Sequence, residues 1–243
     1  MGVKGGALRI TLSLGEEIVE LLQFDQQGKP YPVNGSASDL TFQHFAIVVS
    51  DIAEAFQRLL GVEGWTAISR SGPQRLPGSS GGVSAFKFRD PEGHPLELLC
   101  FPKGAAPAYW REMQDDGVCL GIDHSAICVS ETARSVSFYE NLGFHTSSRS
   151  LNRGAEQEKL DNVEGAKVEV TALTPFKSGP HLELLCYHDI PHNRETPHGN
   201  ADIATARLVF EASDCPAPRE IIDPDGHHLI MEDQTVSEAL AGG

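Results

Sequence analysis

The sequence predicts an α+β fold built from tandem units that each run strand, helix, strand, strand, strand, and three observations carry that expectation. An apolar strand with a glutamate inside it occurs three times, as VELLQF (19–24), LELLCF (96–101) and LELLCY (182–187). A strand headed by a histidine occurs twice, as HFAIVVSD (44–51) and HSAICVSE (124–131). Each histidine strand leads into a helical pattern that stops at a glycine. Self-similarity on this scale marks repeated supersecondary units.

The elements of a unit follow in order. In the first helix Ser50 or Asp51 is the cap, Ile52, Phe56, Leu59 and Leu60 fall at helical spacing, and Gly61 is the stop. The second starts at Ser130 and places Ala133, Val136, Tyr139 and Leu142 before Gly143. GWTAISRS (64–71) and GFHTSSRS (143–150) come next, each with a glycine, an aromatic and a closing Ser-Arg-Ser. VSAFKFRD (83–90) and AKVEVTAL (166–173) then alternate as half-buried strands do. Asp90, Pro91 and Gly93 suit a tight turn into the glutamate strand. A fourth copy survives in part, because DPDGHHLIMED (223–233) aligns with DPEGHPLELLC and puts Ile230 where the glutamate would stand.

Spacing suggests how the units are grouped. Glu20 precedes His44 by 24 residues, and Glu183 precedes Arg207, the residue aligned with His44 in the fourth copy, by the same 24. Glu97 precedes His124 by 27. The larger repeat is therefore a pair of units, which divides the chain into a first pair (1–101), a Pro- and Gly-rich linker (102–117) and a second pair (118–243). The first unit lacks its front half. The fourth is shortened, since 16 residues separate Arg207 from Asp223 where 46 separate His44 from Asp90.

Composition narrows the partners. Thirty-four acidic against nineteen basic residues give a net charge of −15, which argues against nucleic acid and anionic membrane. No stretch approaches the roughly 18 apolar residues of a membrane span, and the opening residues lack a signal-peptide core, so a soluble cytoplasmic protein is expected. Five cysteines without a C-x-x-C pair, mostly inside apolar runs, read as free thiols.

The glutamates need a physical reason. An unpaired carboxylate inside an apolar strand costs several kcal/mol, so each requires a cation, a proton or a metal. A His in the first strand and a Glu in the last, in tandem βαβββ units, resembles the vicinal oxygen chelate superfamily of glyoxalases, bleomycin-resistance proteins and extradiol dioxygenases. HFAIVVSD, DPEGHPLELLCF, GIDHSAICVSETARSVSFYENLGF and DPDGHHLIMED carry the resemblance over nearly the whole chain. It implies a glyoxalase-like cleft that binds one divalent metal ion (Fe, Mn, Ni, Co or Zn), with Glu20, His44, Glu97, His124 and Glu183 as the candidate ligands. Imidazole with carboxylates is a donor set that suits those metals and leaves positions open for two adjacent substrate oxygens.

Because spacing pairs unit one with unit two, Glu20, His44 and Glu97 form the favoured set. His124 and Glu183 rank below it, since Arg207 and Ile230 replace the other ligands of the second pair and Arg207 offers Glu183 an ion-pair partner. A set of His44, Glu97, His124 and Glu183 requires units two and three to pack together, against the spacing. The tract SGPQRLPGSSGGV (71–83) reads as a connector or as a lid whose Arg75 binds substrate, and NRGAEQEKLD (152–161) as a charged loop.

The expected function is a metal-dependent enzyme, a lyase, isomerase or ring-cleavage dioxygenase, acting on a small-molecule substrate with vicinal oxygens. No general base stands out. The incomplete ligand sets leave open a metal-free small-ligand binding protein of the bleomycin-resistance type, or a degenerate dimerisation module. The shortened first unit exposes a strand edge and an apolar face, so a homodimer is expected.

Overall fold

The computed structural model describes residues 3–113, 117–175, 179–192, 199–211 and 217–232. Its elements run β1 (Ala7–Leu14), β2 (Glu17–Phe24), β3 (Phe42–Val49), α1 (Ile52–Leu60), β4 (Thr66–Ala67), β5 (Gln74–Arg75), β6 (Ser84–Arg89), β7 (Pro95–Cys100) and α2 (Ala108–Glu112). They continue through β8 (Cys119–Cys128), α3 (Thr132–Glu140), β9 (His145–Arg153), α4 (Ala155–Asp161), β10 (Lys167–Thr174), β11 (His181–Tyr187), β12 (Arg207–Glu211), β13 (Arg219–Ile222) and β14 (His228–Glu232). The expected α+β class is what forms, with the predicted unit seen twice: β3, α1, β4, β6, β7 and again β8, α3, β9, β10, β11.

Local chemistry accounts for the boundaries. Asp51 caps α1 by accepting from the amides of Ala53 and Glu54. The Asp90 side chain accepts from the amides of Glu92 and His94, and Gly93 supplies the positive φ that the turn into β7 needs. Asp223 and Gly226 repeat that turn before β14. Ser130, expected to start α3, gives both its amide and its hydroxyl to Asp225, so the turn of the fourth unit is tied to the head of a helix in the third.

Strand pairing determines everything at the site. The main sheet has nine strands in the order β4-β6-β7-β3-β8-β11-β10-β9, with β5 alongside β6. The order reads identically outward from the centre, where β3 and β8 pair antiparallel; β7 and β11 flank them in parallel. Units two and three are thus joined across the 102–117 segment as pseudo-twofold halves of one sheet. Units one and four form separate small sheets, β1-β2 and β12-β14-β13.

Alternation then sorts side chains onto two faces. One face packs on helices: Ile47, Val49, Phe86, Phe88 and Leu98 meet α1, and Ile127, Leu182 and Leu184 meet Val136 and Tyr139 of α3. The other carries His44, Ala46, Glu97, Leu99, His124 and Ala126. Leu160 of α4 and Leu76 cover Ala46, Ala85 and Leu99, while Trp110 of α2 covers Val48 and Leu120. Residues 152–161, expected as a loop, are therefore strand end and helix: Gln157, Leu160 and Asp161 are buried against the sheet, and that burial holds a helical turn of charged residues in place.

The Asp225 carboxylate also accepts from Arg134 at 2.6 Å. Replacing it with alanine strands the Ser130 amide and hydroxyl, so Asp225→Ala should lower the unfolding free energy by about 2 kcal/mol in chemical denaturation. A loss below about 0.5 kcal/mol, the size of an ordinary surface change, would mean that the turn does not anchor the fourth unit.

Candidate metal centre

The antiparallel pairing of β3 with β8 sets Ala46 opposite His124 and Ala126 opposite His44, so two imidazoles rise from the middle of the sheet with only alanines across from them. Their Nε2 atoms stand 3.3 Å apart. Glu97 on β7 reaches the same point, with Oε2 3.3 Å from His44 Nε2 and 3.7 Å from His124 Nε2. Glu183 approaches from β11, its Oε2 3.5 Å from His124 Nε2. His44, Glu97 and His124 are 2%, 5% and 4% exposed, so the donors converge in a place closed to bulk water.

The electrostatics are asymmetric. Burial pushes His44 below the ordinary histidine value, against the pull of Glu97. Burial acts on His124 too, but Glu183, Asp123 and Glu97 together raise it to about 9. Burial would raise both carboxyls; His44 and Lys87 bring Glu97 down to about 2, and His124 and His181 do the same for Glu183. Each buried carboxylate is therefore ionised and faces a cation, which is what the strand glutamates required.

A supporting layer fixes one ring. Asp123 Oδ2 lies 3.0 Å from His124 Nδ1, and the indole N–H of Trp110 donates to the other oxygen of Asp123 at 2.8 Å. This carboxylate holds the His124 proton on Nδ1 when Nε2 acts as a ligand. His44 Nδ1 is buried and, among the described residues, has no hydrogen-bond partner. Asp123 is a site residue that the repeat alone could not reveal, because the equivalent position before His44 is Gln43.

The donor set fits a divalent ion. Ligands at roughly 2.0–2.2 Å from one ion stand about 3.0–3.5 Å apart in tetrahedral or octahedral geometry, close to the spacings seen here. His44, Glu97 and His124 can each place a donor atom within 4.8 Å of the others; Asp123, His124 and His181 form a second such group around the shared histidine.

Glu20 is not part of this arrangement. It sits half-exposed on β2 in the separate two-stranded sheet, 3.2 Å from Arg9. The reason is the sheet order: β8 takes the place beside β3, so unit three and not unit one supplies the second half of the centre. Arg207 does not meet Glu183; its guanidinium donates to the Asn200 carbonyl and lies 3.8 Å from Glu220. Arg75 is exposed on β5 between buried Gln74 and Leu76. Cys100, Cys119, Cys128 and Cys186 are free thiols, and Cys215 lies outside the described residues.

Comparison with known proteins agrees with the fold. The sequence model of the Glyoxalase/Bleomycin resistance protein/Dioxygenase superfamily matches residues 121–241. Glyoxalase I from Zea mays superposes with a TM-score of 0.59 at 18% identity, covering 96% of this chain and 80% of that one. A single-residue variant of the same enzyme reaches 0.62 at 19% identity, with the same coverage. A putative dioxygenase from Bacillus subtilis gives 0.54 at 15% identity, over 93% of this chain and 72% of the other. No curated protein sequence matches significantly.

The metal-free protein should show the asymmetry as a pH effect. A His124 value raised to about 9 means that its stabilising contribution is complete below about 6.5, its unfolded value, and is lost as pH rises through 9. The unfolding free energy should accordingly decline between pH 6.5 and 9, and His124→Gln should flatten that slope; an unchanged slope in the variant would refute the assignment.

Proposed function

Since residues 121–241 belong to the Glyoxalase/Bleomycin resistance protein/Dioxygenase superfamily, we propose that the chain is a divalent-metal enzyme acting on a small substrate that presents two adjacent oxygens. The observation that carries this reading is the meeting of His44 and His124, from pseudo-equivalent strands, with Glu97 in a buried place. His44, Glu97 and His124 would hold the ion, with Glu183 as the fourth donor. A bound ion supplies Lewis-acid polarisation of the two substrate oxygens. The protein's own part is to fix the donors: Asp123 orients His124, Trp110 orients Asp123, and α4 with Leu76 keeps water from the face around them.

The free cysteines and the strongly acidic balance suit the cytoplasm. Among the described residues no helix is long and apolar enough to cross a membrane. Leu8, Ile10, Leu12 and Leu21 share one face of the β1-β2 ribbon and are 57%, 45%, 48% and 39% exposed. A two-stranded ribbon is marginal by itself, and an apolar face of this kind suits a homodimer in which a second copy covers it. Light scattering should then give a mass near twice 26.2 kDa, reduced to the monomer value by Ile10→Asp.

Elemental analysis tests the main reading. Protein supplied with Mn, Fe, Co, Ni or Zn should retain about one ion per chain, because the two groups of converging donors among the described residues share His124. His44→Ala and His124→Ala should each abolish retention, while Glu20→Ala leaves it intact. Trp110→Phe, which frees Asp123, should weaken affinity about tenfold. Binding at pH 7 should release about one proton, that of His124, measurable by calorimetry in buffers of different ionisation heat. Failure to retain any of these ions would end the enzyme reading.

A further inference from the structure

Lys87 is a buried cation on the wall of the centre, 6% exposed. On β6 it pairs in register with Glu97 of β7, so both side chains rise from the same face on neighbouring strands. Its ammonium meets Asp161, the last residue of α4, at 2.7 Å. The second oxygen of Asp161 accepts from Gln157 at 2.6 Å and from the Tyr187 hydroxyl at 2.8 Å.

The helix that brings Asp161 here is also the cover of the site. Leu160 lies on Ala46, Ala85 and Leu99, and the Leu160 carbonyl accepts from Ser69 at 2.8 Å. Gly154 and Asn162, just outside the two ends of α4, both have left-handed φ, at 102° and 55°, so the helix is joined to the sheet by sharp local turns. With the three central donors almost fully buried, a ligand that places two oxygens at them has to displace this cover.

Displacing it removes the Lys87 counter-ion. Glu97 is then committed to the centre, and an unpaired buried ammonium costs several kcal/mol. Opening is favourable when the incoming molecule brings its own negative charge to that place. We infer that Lys87 anchors an anionic group of the substrate, a carboxylate or its equivalent near the two chelating oxygens, and that Asp161 holds that group's place while α4 is closed. This rests on the reading of the centre as a chelating metal site, and it narrows the substrate class to anions.

A matched pair of ligands separates the two ideas: 3,4-dihydroxybenzoate and catechol, which differ only in the carboxylate, titrated calorimetrically into metal-loaded and metal-free protein. Wild type should prefer the benzoate. Asp161→Asn should bind it at least tenfold more tightly than wild type, with catechol changed less than threefold; a mere structural staple predicts no gain. Lys87→Met should abolish the preference and Lys87→Arg should keep it. Should Lys87→Met fail to fold, the Asp161→Asn gain still decides. Catechol binding without any carboxylate preference overturns the inference and leaves the chelating centre standing. Carboxylate preference that needs Lys87 but no metal upholds the anion site at Lys87 and overturns its placement beside a chelating metal. Binding of neither ligand by any variant overturns both.

Discussion

The antiparallel contact between β3 and β8 is the constraint on which the site depends. It places two histidines from equivalent strands within 3.3 Å of each other in the middle of a sheet, and the parallel flanking strands β7 and β11 then bring in Glu97 and Glu183 from opposite sides. None of these four groups is tolerable there alone. Together with Lys87 the two imidazoles offset the charge of the two carboxylates, which is why the sequence can keep a glutamate inside LELLCF at all. The same mutual dependence makes the cluster a ready ligand set, because the groups already sit at ligand-to-ligand distances.

The repeat was legible in the sequence, and so were the side chains that matter. LELLCF and LELLCY, with HFAIVVSD and HSAICVSE, identify every donor residue and the strand that carries it. What spacing does not report is which units pack together. The equal distances from Glu20 to His44 and from Glu183 to Arg207 describe resemblance between parts of the chain, whereas the sheet follows hydrogen bonding between β3 and β8. The first criterion groups Glu20 with His44, whereas in the sheet Glu20 lies beside Arg9. The α4 helix is illegible in the sequence for a related reason. AEQEKLD is almost entirely polar, and it is seated by Leu160 packing on the sheet and by a buried lysine and tyrosine from distant strands that donate to its last carboxylate.

Covering the face with α4 changes the meaning of that polarity. Lys87, Asp161, Gln157 and Tyr187 form a hydrogen-bonded group on the same side as the donors, so the wall of the centre is polar on the Lys87 side and aliphatic around Ala46, Ala85 and Leu99. Buried ion pairs are weak sources of stability, because desolvation offsets most of the attraction. Their better-attested use is to specify one arrangement among several, here the seating of a short helix over a site.

The pseudo-twofold axis is broken by a single residue in each half. Before His124 stands Asp123, which grips the ring through Nδ1 and is itself gripped by Trp110. Before His44 stands Gln43, whose side-chain amide turns away to the Asp39 carbonyl and the Thr41 hydroxyl. Glu183 and Asp123 together, with Glu97, raise His124 to about 9, whereas burial pushes His44 down. At neutral pH the pair consequently carries one positive charge, on the ring that Asp123 holds. A duplicated strand supplied two equivalent imidazoles, and the carboxylates around each, Glu183 and Asp123 at His124, separate their proton affinities.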